Sequence, residues 1–444
     1  MKKLFGTDGI RARAGTYPLD DKTVALIGSS LSRLLEKRQG RKPRLMIGRD
    51  TRESGTQIEA AFSGGASAEG AECVSAGIIT TPGLAFLTER HGFDCGVVIS
   101  ASHNPFEDNG IKVFMPSGKK LDEAGERAIE ADVAASEPPA VSAFVPDLQG
   151  EMLLHQEYME HLKAASEPLT GLKVVIDCAN GAASAYAPGL FKELGAEVVT
   201  IGAEPNGRNI NQDCGSLHLE KLQAAVKDTQ ADLGAAFDGD ADRCLFVDEK
   251  GSVVDGDGVL WIMANELLRN GGLKSRKIVA TVMSNVGLEI ALRGIGITME
   301  RAAVGDKYVL EALIRDGCEI GGEQSGHIIF PSFSLVGDGM MTALRVMNAF
   351  SRAGGKFSEM LNGFEQFPQT LVNVRVREKR PFEDVPAIGK AVAEAEAELA
   401  GSGRLLLRYS GTENLARIMI EGPDQQQVDR MAAAIADVIK VSLS

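Results

Sequence analysis

The sequence predicts an α/β fold with three similar mixed α/β domains and a smaller α+β domain at the C-terminus. Three segments each place a buried apolar strand before a polar or glycine-rich turn and a helix, and these strands cover residues 45–50, 174–177 and 278–282. Such alternation is typical of α/β units with mainly parallel sheets. A chain of 444 residues is also too long for a single core.

The pattern changes near residue 369. From there we expect a strand, an Ala/Glu-rich helix, two strands and a final helix, at residues 371–376, 386–399, 404–407, 416–420 and 425–441. A proline-containing linker is expected at 134–150. These features predict four domains, at residues 1–150, 151–255, 256–367 and 368–444.

Charge and composition narrow the functional class. The net charge is −14, which argues against a nucleic-acid partner because phosphate backbones recruit basic surfaces. No apolar run is long enough to cross a membrane, and Lys2 and Lys3 are not followed by the apolar stretch of a signal peptide. The six cysteines form no C-x-x-C pair and are expected to be reduced. We therefore expect a cytoplasmic protein without a membrane or nucleic-acid partner.

The first chemical loop follows the predicted strand Cys95–Ile99 and contains Ser102 and His103, closed by Pro105. Open parallel sheets bind ligands beyond the carboxyl ends of their strands, and a serine beside a histidine is typical of nucleophilic chemistry. By itself the dipeptide is more often part of an ordinary polar turn. The other loops decide between the two interpretations.

The second loop places Asp238, Asp240 and Asp242 after a predicted strand at 232–237. Three carboxylates at alternate positions can converge on one hard cation such as Mg²⁺, and burying them without a cation would be costly. A helix–loop–helix calcium site is an alternative, because Glu249 also falls at the required offset. However, Arg243 stands where that loop needs glycine, and the flanking residues 244–248 and 252–254 are expected to form a hairpin.

Two further loops carry groups suited to a phosphorylated sugar. Glu323, Ser325 and His327 lie on a glycine-rich turn, where they could bind sugar hydroxyls. The C-terminal loop combines two arginines with hydroxyls and backbone amides, which is a pattern able to bind a phosphate dianion. Its candidate residues are Arg408, Ser410, Gly411, Thr412 and Arg417.

Several nucleotide and hydrolase motifs are absent from the sequence. There is no G-x-x-x-x-G-K-[ST], no G-x-S-x-G and no H-E-x-x-H. The sequence combines a candidate phosphate site, a candidate metal site and a serine, but it has no ATP-binding loop. This combination argues against a kinase. It favours a phosphoryl group that is exchanged between serine and substrate.

These four loops, in this order and over essentially the whole chain, resemble the signatures of the α-D-phosphohexomutase superfamily. The resemblance implies four domains around a central cleft, with a C-terminal domain similar to the TATA-box-binding-protein fold. It also implies that Ser102 is a phosphoserine and that one Mg²⁺ per site is held by the phosphoserine with Asp238, Asp240 and Asp242.

Within that superfamily, residues 5–11 and Gly322–His327, with Gln324, resemble the bacterial branch that interconverts glucosamine 6-phosphate and glucosamine 1-phosphate. The implied intermediate is glucosamine 1,6-bisphosphate, and the product feeds UDP-N-acetylglucosamine and cell-wall synthesis. The resemblance also implies a homodimer. A phosphomannomutase/phosphoglucomutase is the first alternative, and a non-catalytic calcium-binding protein is the second.

Candidate roles can be assigned to the cations near Ser102. Lys112 and Arg11 are the candidates for handling the proton of the reacting hydroxyl. Arg243 would stabilise charge on the transferred phosphoryl group. His103 would support the loop or the phosphoserine.

Overall fold

The computed structural model describes residues 3–6, 8–141, 144–410 and 414–443. It divides into two compact units. The first consists of Met1–Met283 with Met299–Leu361, and the second of Ser284–Thr298 with Asn362–Ser444. No helix in the described ranges has the length and apolar character needed to cross a membrane.

The first sheet contains five strands. Three of them, β2 (Arg44–Arg49), β3 (Glu72–Ile78) and β4 (Cys95–Ile99), run parallel. In spatial order the strands are β1 (Ile10–Arg13), β5 (Asp108–Phe114), β4 (Cys95–Ile99), β2 (Arg44–Arg49) and β3 (Glu72–Ile78). The accompanying helices are α1 (Asp21–Gln39), α2 (Gly55–Ala68), α3 (Thr81–Arg90) and α4 (Glu123–Ala135). Apolar residues on these elements form one core cluster, which includes Ile47, Phe62, Val97 and Ile111.

The second sheet repeats this arrangement. Its order is β10 (Val253–Val254), β9 (Cys244–Asp248), β8 (Leu233–Phe237), β6 (Lys173–Asp177) and β7 (Glu197–Ile201). The helices α5 (Leu148–Ala164), α6 (Ala187–Glu193) and α7 (Glu220–Thr229) precede or connect its strands. The predicted hairpin is confirmed, since β9 and β10 pair antiparallel.

The third sheet is smaller. Its order is β12 (Thr298–Ala302), β11 (Lys277–Thr281), β13 (Gly321–Gly322) and β14 (Ile328–Ile329). The helices of this region are α8 (Gly256–Arg269), α9 (Val286–Gly294), α10 (Asp306–Asp316) and α11 (Gly339–Ala353). Helix α9 belongs to the second compact unit together with the C-terminal chain.

The C-terminal part is an antiparallel α+β module, as the sequence predicted. The strand order is β15 (Gln369–Arg375), β17 (Leu415–Glu421) and β16 (Arg404–Tyr409), with helices α12 (Pro386–Leu399) and α13 (Gln425–Leu443). The apolar faces of both helices share a core with the sheet.

One prediction needs correction. The expected linker at 134–150 is shorter in the structure, because α4 continues to Ala135 and α5 already begins at Leu148. Asp147 caps α5 by accepting a hydrogen bond from the Gln149 backbone, so the polar residues assigned to the linker in fact start a helix.

The first three sheets share one topological feature. In each sheet, one strand (β4, β8 or β13) runs parallel to the strand beside it (β2, β6 or β11). The next strand along the chain (β5, β9 or β14) pairs with it antiparallel. The three loops between these strand pairs were all predicted from the sequence. They are the serine loop with Ser102, the acidic loop with Asp238, Asp240 and Asp242, and the sugar loop with Glu323, Ser325 and His327. All three therefore occupy the same place in their own sheet.

Candidate active site

Ser102 lies at the carboxyl end of β4 in a strained backbone conformation. Its φ is 52°, in the left-handed region, which costs a non-glycine residue about 1 kcal/mol or more. The side chain is only 1% exposed. Its Oγ donates a hydrogen bond to Asp238 Oδ2 at 2.5 Å across 136 residues of sequence. The serine and acidic loops, predicted separately, are therefore brought together.

The acidic loop forms a buried cluster. Oxygen atoms of Asp238, Asp240 and Asp242 lie within 4.8 Å of one another, and among the described residues this is the one group of three carboxylate, imidazole or thiolate ligands with that spacing. Asp240 Oδ1 and Asp242 Oδ1 are buried without a hydrogen-bond partner. Burial, and then repulsion from Asp242 and Asp240, raises the pKa of Asp238 well above its usual value. Burial is also the first influence on Asp240, but the Lys112 charge outweighs it and lowers the pKa of Asp240. Buried carboxylate oxygens without donors, crowded closely enough to repel one another, fit a hard divalent cation.

The serine loop and the acidic loop can lie in direct contact because a glycine stands where their backbones meet. A Cβ on Gly239 would lie 2.5 Å from the carbonyl oxygen of Ser102, so only glycine fits there. Thr81, the first residue of α3, fixes Asp240 from the other side, because its hydroxyl donates to Asp240 Oδ2 at 2.6 Å. Its backbone N–H donates to the Asp240 carbonyl at 2.9 Å. The role of Thr81 was not predicted, since nothing in the sequence brings α3 near residue 240.

The calcium alternative is wrong in its geometry. The acidic loop is flanked by strands β8 and β9 instead of helices. Glu249, which would have completed a calcium loop, accepts hydrogen bonds from the Ser358 hydroxyl at 2.7 Å and the Ser358 backbone at 3.0 Å. Both oxygens of the Glu249 carboxylate are therefore hydrogen-bonded to Ser358.

Two of the predicted cations lie on strands beside the serine loop. Lys112 on β5 is 2% exposed, and its Nζ is 2.8 Å from Asp240 Oδ2 and 3.4 Å from Asp242 Oδ2. Burial opposes its charge, but Asp240, Asp8 and Asp242 together raise the pKa of Lys112 well above the usual value. Arg11 on β1 forms an ion pair with Asp8, which also contacts Lys112 at 3.5 Å. Asp8 thus joins the two candidate proton-handling groups.

His103 is neutral near pH 7 in this environment. Burial and then the charges of Arg243 and Arg11 lower the pKa of His103 to about 4. Its Nδ1 lies 2.9 Å from Arg243 Nη1 and 3.3 Å from Ser102 Oγ. Because arginine can only donate, Nδ1 acts as an acceptor for Arg243. This geometry favours a supporting role for His103 over that of a general base.

The sugar loop lies next to the start of β9, the strand that follows the acidic loop. The carbonyl of Gly326 accepts a hydrogen bond from the Cys244 backbone at 3.1 Å. Glu323 Oε1 accepts from the Gly305 backbone at 3.0 Å, and Glu323 Oε2 accepts from the Ser325 hydroxyl at 3.2 Å. The ring of His327 is 5% exposed, and its Nδ1 has no hydrogen-bond partner. All three predicted sugar-binding side chains therefore lie on one ordered turn.

The phosphate loop belongs to the second compact unit and can be described only in part. Arg408 on β16 is paired in register with Arg417 on β17, so the two predicted arginines are neighbours across the sheet. Ser410 is 3% exposed, and its carbonyl accepts a hydrogen bond from Lys379 Nζ at 2.6 Å. Lys379 adds a cation that was not predicted. Gly411 and Thr412 lie outside the described residues.

The chain matches the domain models of the phosphoglucomutase/phosphomannomutase family along nearly its whole length. The matched segments are domain I at residues 2–139, domain II at 156–251, domain III at 255–367 and the C-terminal domain at 371–438.

Close relatives carry one name. The phosphoglucosamine mutase of Solibacter usitatus is 50% identical over 99% of this chain and 98% of its own length. That of Deinococcus radiodurans is 44% identical over 99% and 98%.

Solved structures agree on the fold. A phosphoglucomutase/phosphomannomutase family protein from Burkholderia thailandensis superposes with a TM-score of 0.82 at 25% identity, covering 100% of this chain and 98% of its own. The Aspergillus fumigatus N-acetylphosphoglucosamine mutase, in complex with GlcNAc-6P and magnesium, gives a TM-score of 0.70 at 20% identity, covering 99% and 96%. With matches to all four domains and full-length relatives near 50% identity, the chain belongs to the phosphoglucomutase/phosphomannomutase family, within the α-D-phosphohexomutase superfamily.

Proposed function

We propose that this chain interconverts glucosamine 6-phosphate and glucosamine 1-phosphate, with Ser102 as the phosphoryl carrier. The observation that carries the proposal is the contact between Ser102 Oγ and a buried cluster of three carboxylates. The sugar is supported by the full-length relatives at 44% and 50% identity, which are phosphoglucosamine mutases.

The acidic cluster fits Mg²⁺, which Asp238, Asp240, Asp242 and the phosphorylated Ser102 would hold. When bound, the ion neutralises charge on the phosphoryl group, as is general for enzymes of phosphoryl transfer. A neighbour of the same fold was solved with magnesium and GlcNAc-6P, which supports the same pairing of metal and sugar phosphate here.

In the first half-reaction, the bond between phosphorus and Ser102 Oγ breaks while a bond forms to the free hydroxyl of the sugar phosphate. The product is glucosamine 1,6-bisphosphate and an unmodified serine. The sugar hydroxyl loses a proton and Ser102 Oγ gains one. Lys112 and Arg11 are the candidates for handling these protons. The raised pKa of Lys112 keeps its ammonium group charged, so it also contributes positive charge to the site, together with Arg243.

In the second half-reaction, the bond between the sugar oxygen and the phosphorus at the other end of the bisphosphate breaks while a bond forms to Ser102 Oγ. Ser102 Oγ loses its proton and the freed sugar oxygen gains one, which leaves glucosamine 1-phosphate and phosphorylated Ser102. Glu323, Ser325 and His327 would bind the sugar in both orientations. The arginines 408 and 417, with Ser410, Gly411 and Thr412, would hold the phosphate that is not transferred. Binding energy from that remote phosphate aligns the reacting end.

We further propose the four domain boundaries predicted above, a cytoplasmic location and a homodimer. The cytoplasmic location is supported by the six cysteines, which are all free thiols, since this is the usual state in reducing compartments. The homodimer is supported by the family resemblance, and light scattering of the purified chain would test it.

A coupled assay across the phosphates of glucosamine, glucose and mannose tests the proposal. We expect the highest kcat/KM with glucosamine phosphates and dependence on Mg²⁺. Intact-mass measurement should show one phosphoryl group, located at Ser102 by fragmentation. A preference for mannose or glucose phosphates would instead identify a phosphomannomutase/phosphoglucomutase. Calcium binding without turnover would contradict both assignments.

A further inference from the structure

The largest fully buried side chain among the described residues is that of Arg52. Its Nε pairs with Asp50 Oδ2 at 2.9 Å, and both side chains are 0% exposed. The four other N–H groups donate to backbone carbonyls of the serine loop, at Ser102, Asn104 and Asp108, each at 2.9 Å, and at Pro105. All five donors of the guanidinium are therefore used, and four of them hold one loop.

A second donor reaches the same carbonyls from the chain between β7 and α7. Asn211 Nδ2 donates to the carbonyl of Ser102 at 2.9 Å and to that of Asn104 at 3.0 Å. Asn211 has a φ of 58°, and its backbone N–H donates to the Ala179 carbonyl at 2.8 Å. A segment that follows a strand of the second sheet thus contributes directly to the shape of the loop between β4 and β5 of the first sheet.

The amide side of Ser102 is fixed as well. Asp50 Oδ2 accepts a hydrogen bond from the Ser100 hydroxyl at 2.6 Å, and Ser100 Oγ accepts one from the Ser102 backbone N–H at 2.9 Å. Both peptide groups that flank the Ser102 Cα therefore have fixed partners. A left-handed serine is intrinsically unfavourable, so these partners have to hold it.

We propose that Arg52 and Asn211 are positioning residues that hold the carbonyls of Ser102 and Asn104 from two sides and thereby aim Ser102 Oγ at the acidic cluster. We call this arrangement the carbonyl clamp. The inference rests on the proposed role of Ser102 as phosphoryl carrier. The clamp acts through the geometry of the loop, and neither residue needs to touch the substrate.

The substitution Asn211→Asp gives a sharp test. Aspartate has nearly the same shape and tolerates a left-handed backbone, but it has no N–H donor and repels the two carbonyl oxygens. Because displacing a reacting group by about 1 Å can cost 100-fold in rate, we expect kcat to fall about 100-fold with KM nearly unchanged. Asp213→Asn is the matched control, because Asp213 is an exposed residue of the same segment with a φ of 51°. Its kcat should equal that of the parent chain.

Two further variants cover a failure of Asn211→Asp to fold. Asn211→Gly keeps the left-handed backbone and removes the donor, and Arg52→Lys keeps a charge for Asp50 with fewer donors. Each should lower kcat more than it changes KM. Each should also slow the phosphorylation of Ser102 by glucosamine 1,6-bisphosphate, followed by intact mass on dephosphorylated protein.

The outcomes separate the clamp from the underlying function. Parent protein that is never phosphorylated at Ser102 would overturn the proposed function. Normal phosphorylation and kcat in both Asn211 variants, even with a lowered melting temperature, would overturn the clamp alone. A raised KM with unchanged kcat would do the same, because it would place Asn211 in substrate binding.

Discussion

At the scale of single residues, the proposed chemistry depends on a serine hydroxyl that lies in a small buried space with three carboxylates. Ser102 Oγ has Asp238 at 2.5 Å and the ring of His103 at 3.3 Å. Burial, and then the charge of the arginine bound to His103, lower the pKa of the imidazole to about 4 and leave it a poor base. Reactivity at this serine therefore has to come from charge and position more than from a serine–histidine pair.

The first prediction concerns Ser102 itself. Ser102→Ala removes the atom that we propose as the phosphoryl carrier, so kcat should fall by several powers of ten, equivalent to about 4 kcal/mol or more at the barrier. Initial rates with glucosamine 6-phosphate in a coupled assay measure this. Ser402→Ala, at an exposed serine of the C-terminal module, should retain full activity. Comparable rates in the two variants would contradict the carrier role.

The second prediction concerns the distal phosphate. Arg417→Ala should raise KM about 10-fold or more with a smaller change in kcat, because a hydrogen bond to a charged group contributes about 1.5–3 kcal/mol. Steady-state kinetics with glucosamine 6-phosphate give both constants. Arg430→Ala removes an arginine of α13 that pairs with Glu398 and serves as the control. An unchanged KM for Arg417→Ala would remove this residue from the phosphate site.

At the scale of elements, the sequence predicted the strands that carry chemistry well. Cys95–Ile99 is found with the predicted bounds, and so is the helix Pro386–Leu399. Both have clear local signals, namely an apolar run that ends at a turn and a Pro-started Ala/Glu helix. The strands beside the sugar loop are only two residues long, too short for a period to show, so only the second of them was anticipated.

The residues that shape the site were harder to predict than those that perform its chemistry. Arg52, Thr81 and Asn211 act through hydrogen bonds to residues 50, 159 and 109 positions away. Such contacts depend on which elements lie side by side in the folded chain. Hydrophobic periodicity describes single helices and strands and contains no information about their neighbours. Arg52 had one weak signal, since it follows the carboxyl end of a predicted strand.

The third prediction concerns the helix α11 and its capping residue. Asp338 accepts hydrogen bonds from the Met341 backbone at 2.9 Å and from the Tyr158 hydroxyl at 3.1 Å. Burial raises the pKa of Asp338 to about 6. A carboxyl whose pKa is higher in the folded chain binds its proton more tightly there. Its contribution to stability is therefore present below pH 4 and is lost as the pH rises through 6.

We expect Asp338→Asn to remove this pH dependence. The difference in free energy of unfolding between variant and parent should change by up to about 3 kcal/mol from pH 4 to pH 7, in favour of the variant as the pH rises. Urea unfolding at several pH values measures it. Asp122→Asn is the control, because Asp122 also caps a helix, α4, but its hydrogen bond from Arg38 lowers its pKa. The difference between Asp122→Asn and the parent should change only slightly across this window, and in the opposite direction, because a lowered pKa stabilises the folded chain more as the pH rises. A constant difference for Asp338→Asn would contradict the assignment.

At the scale of the whole molecule, the chain folds as two compact units, and the second of them combines the segment Ser284–Thr298 with the C-terminal chain. Asn285 Nδ2 donates to the Phe367 carbonyl at 2.9 Å, and its Oδ1 accepts from the Phe367 backbone, also at 2.9 Å. Arg404 Nη2 donates to the Ser284 carbonyl at 3.2 Å. These contacts join the two residues before α9 to residues of the C-terminal chain that are 82 and 120 positions away in the sequence. No local sequence pattern predicts contacts over such separations.

The fourth prediction concerns the metal and global stability. A cation that binds the folded acidic cluster and not the unfolded chain stabilises the protein by about 2.7 kcal/mol at 100 times its Kd. We therefore expect Mg²⁺ to raise the melting temperature of the parent chain and EDTA to reverse the change. Asp242→Asn should weaken this response, because it removes one charge from the cluster. A response of equal size in the variant would place the bound Mg²⁺ elsewhere.

The shared placement of the serine, acidic and sugar loops has a consequence for how such an enzyme can acquire new substrates. Each loop lies at the same position in its own α/β sheet, and the proposed function gives each loop a different task. In a repeated architecture of this kind, the residues of one loop can be substituted while the other two loops stay unchanged. Directed evolution confined to Gly322–His327 should therefore redirect the enzyme among hexose phosphates without rebuilding the machinery of phosphoryl transfer.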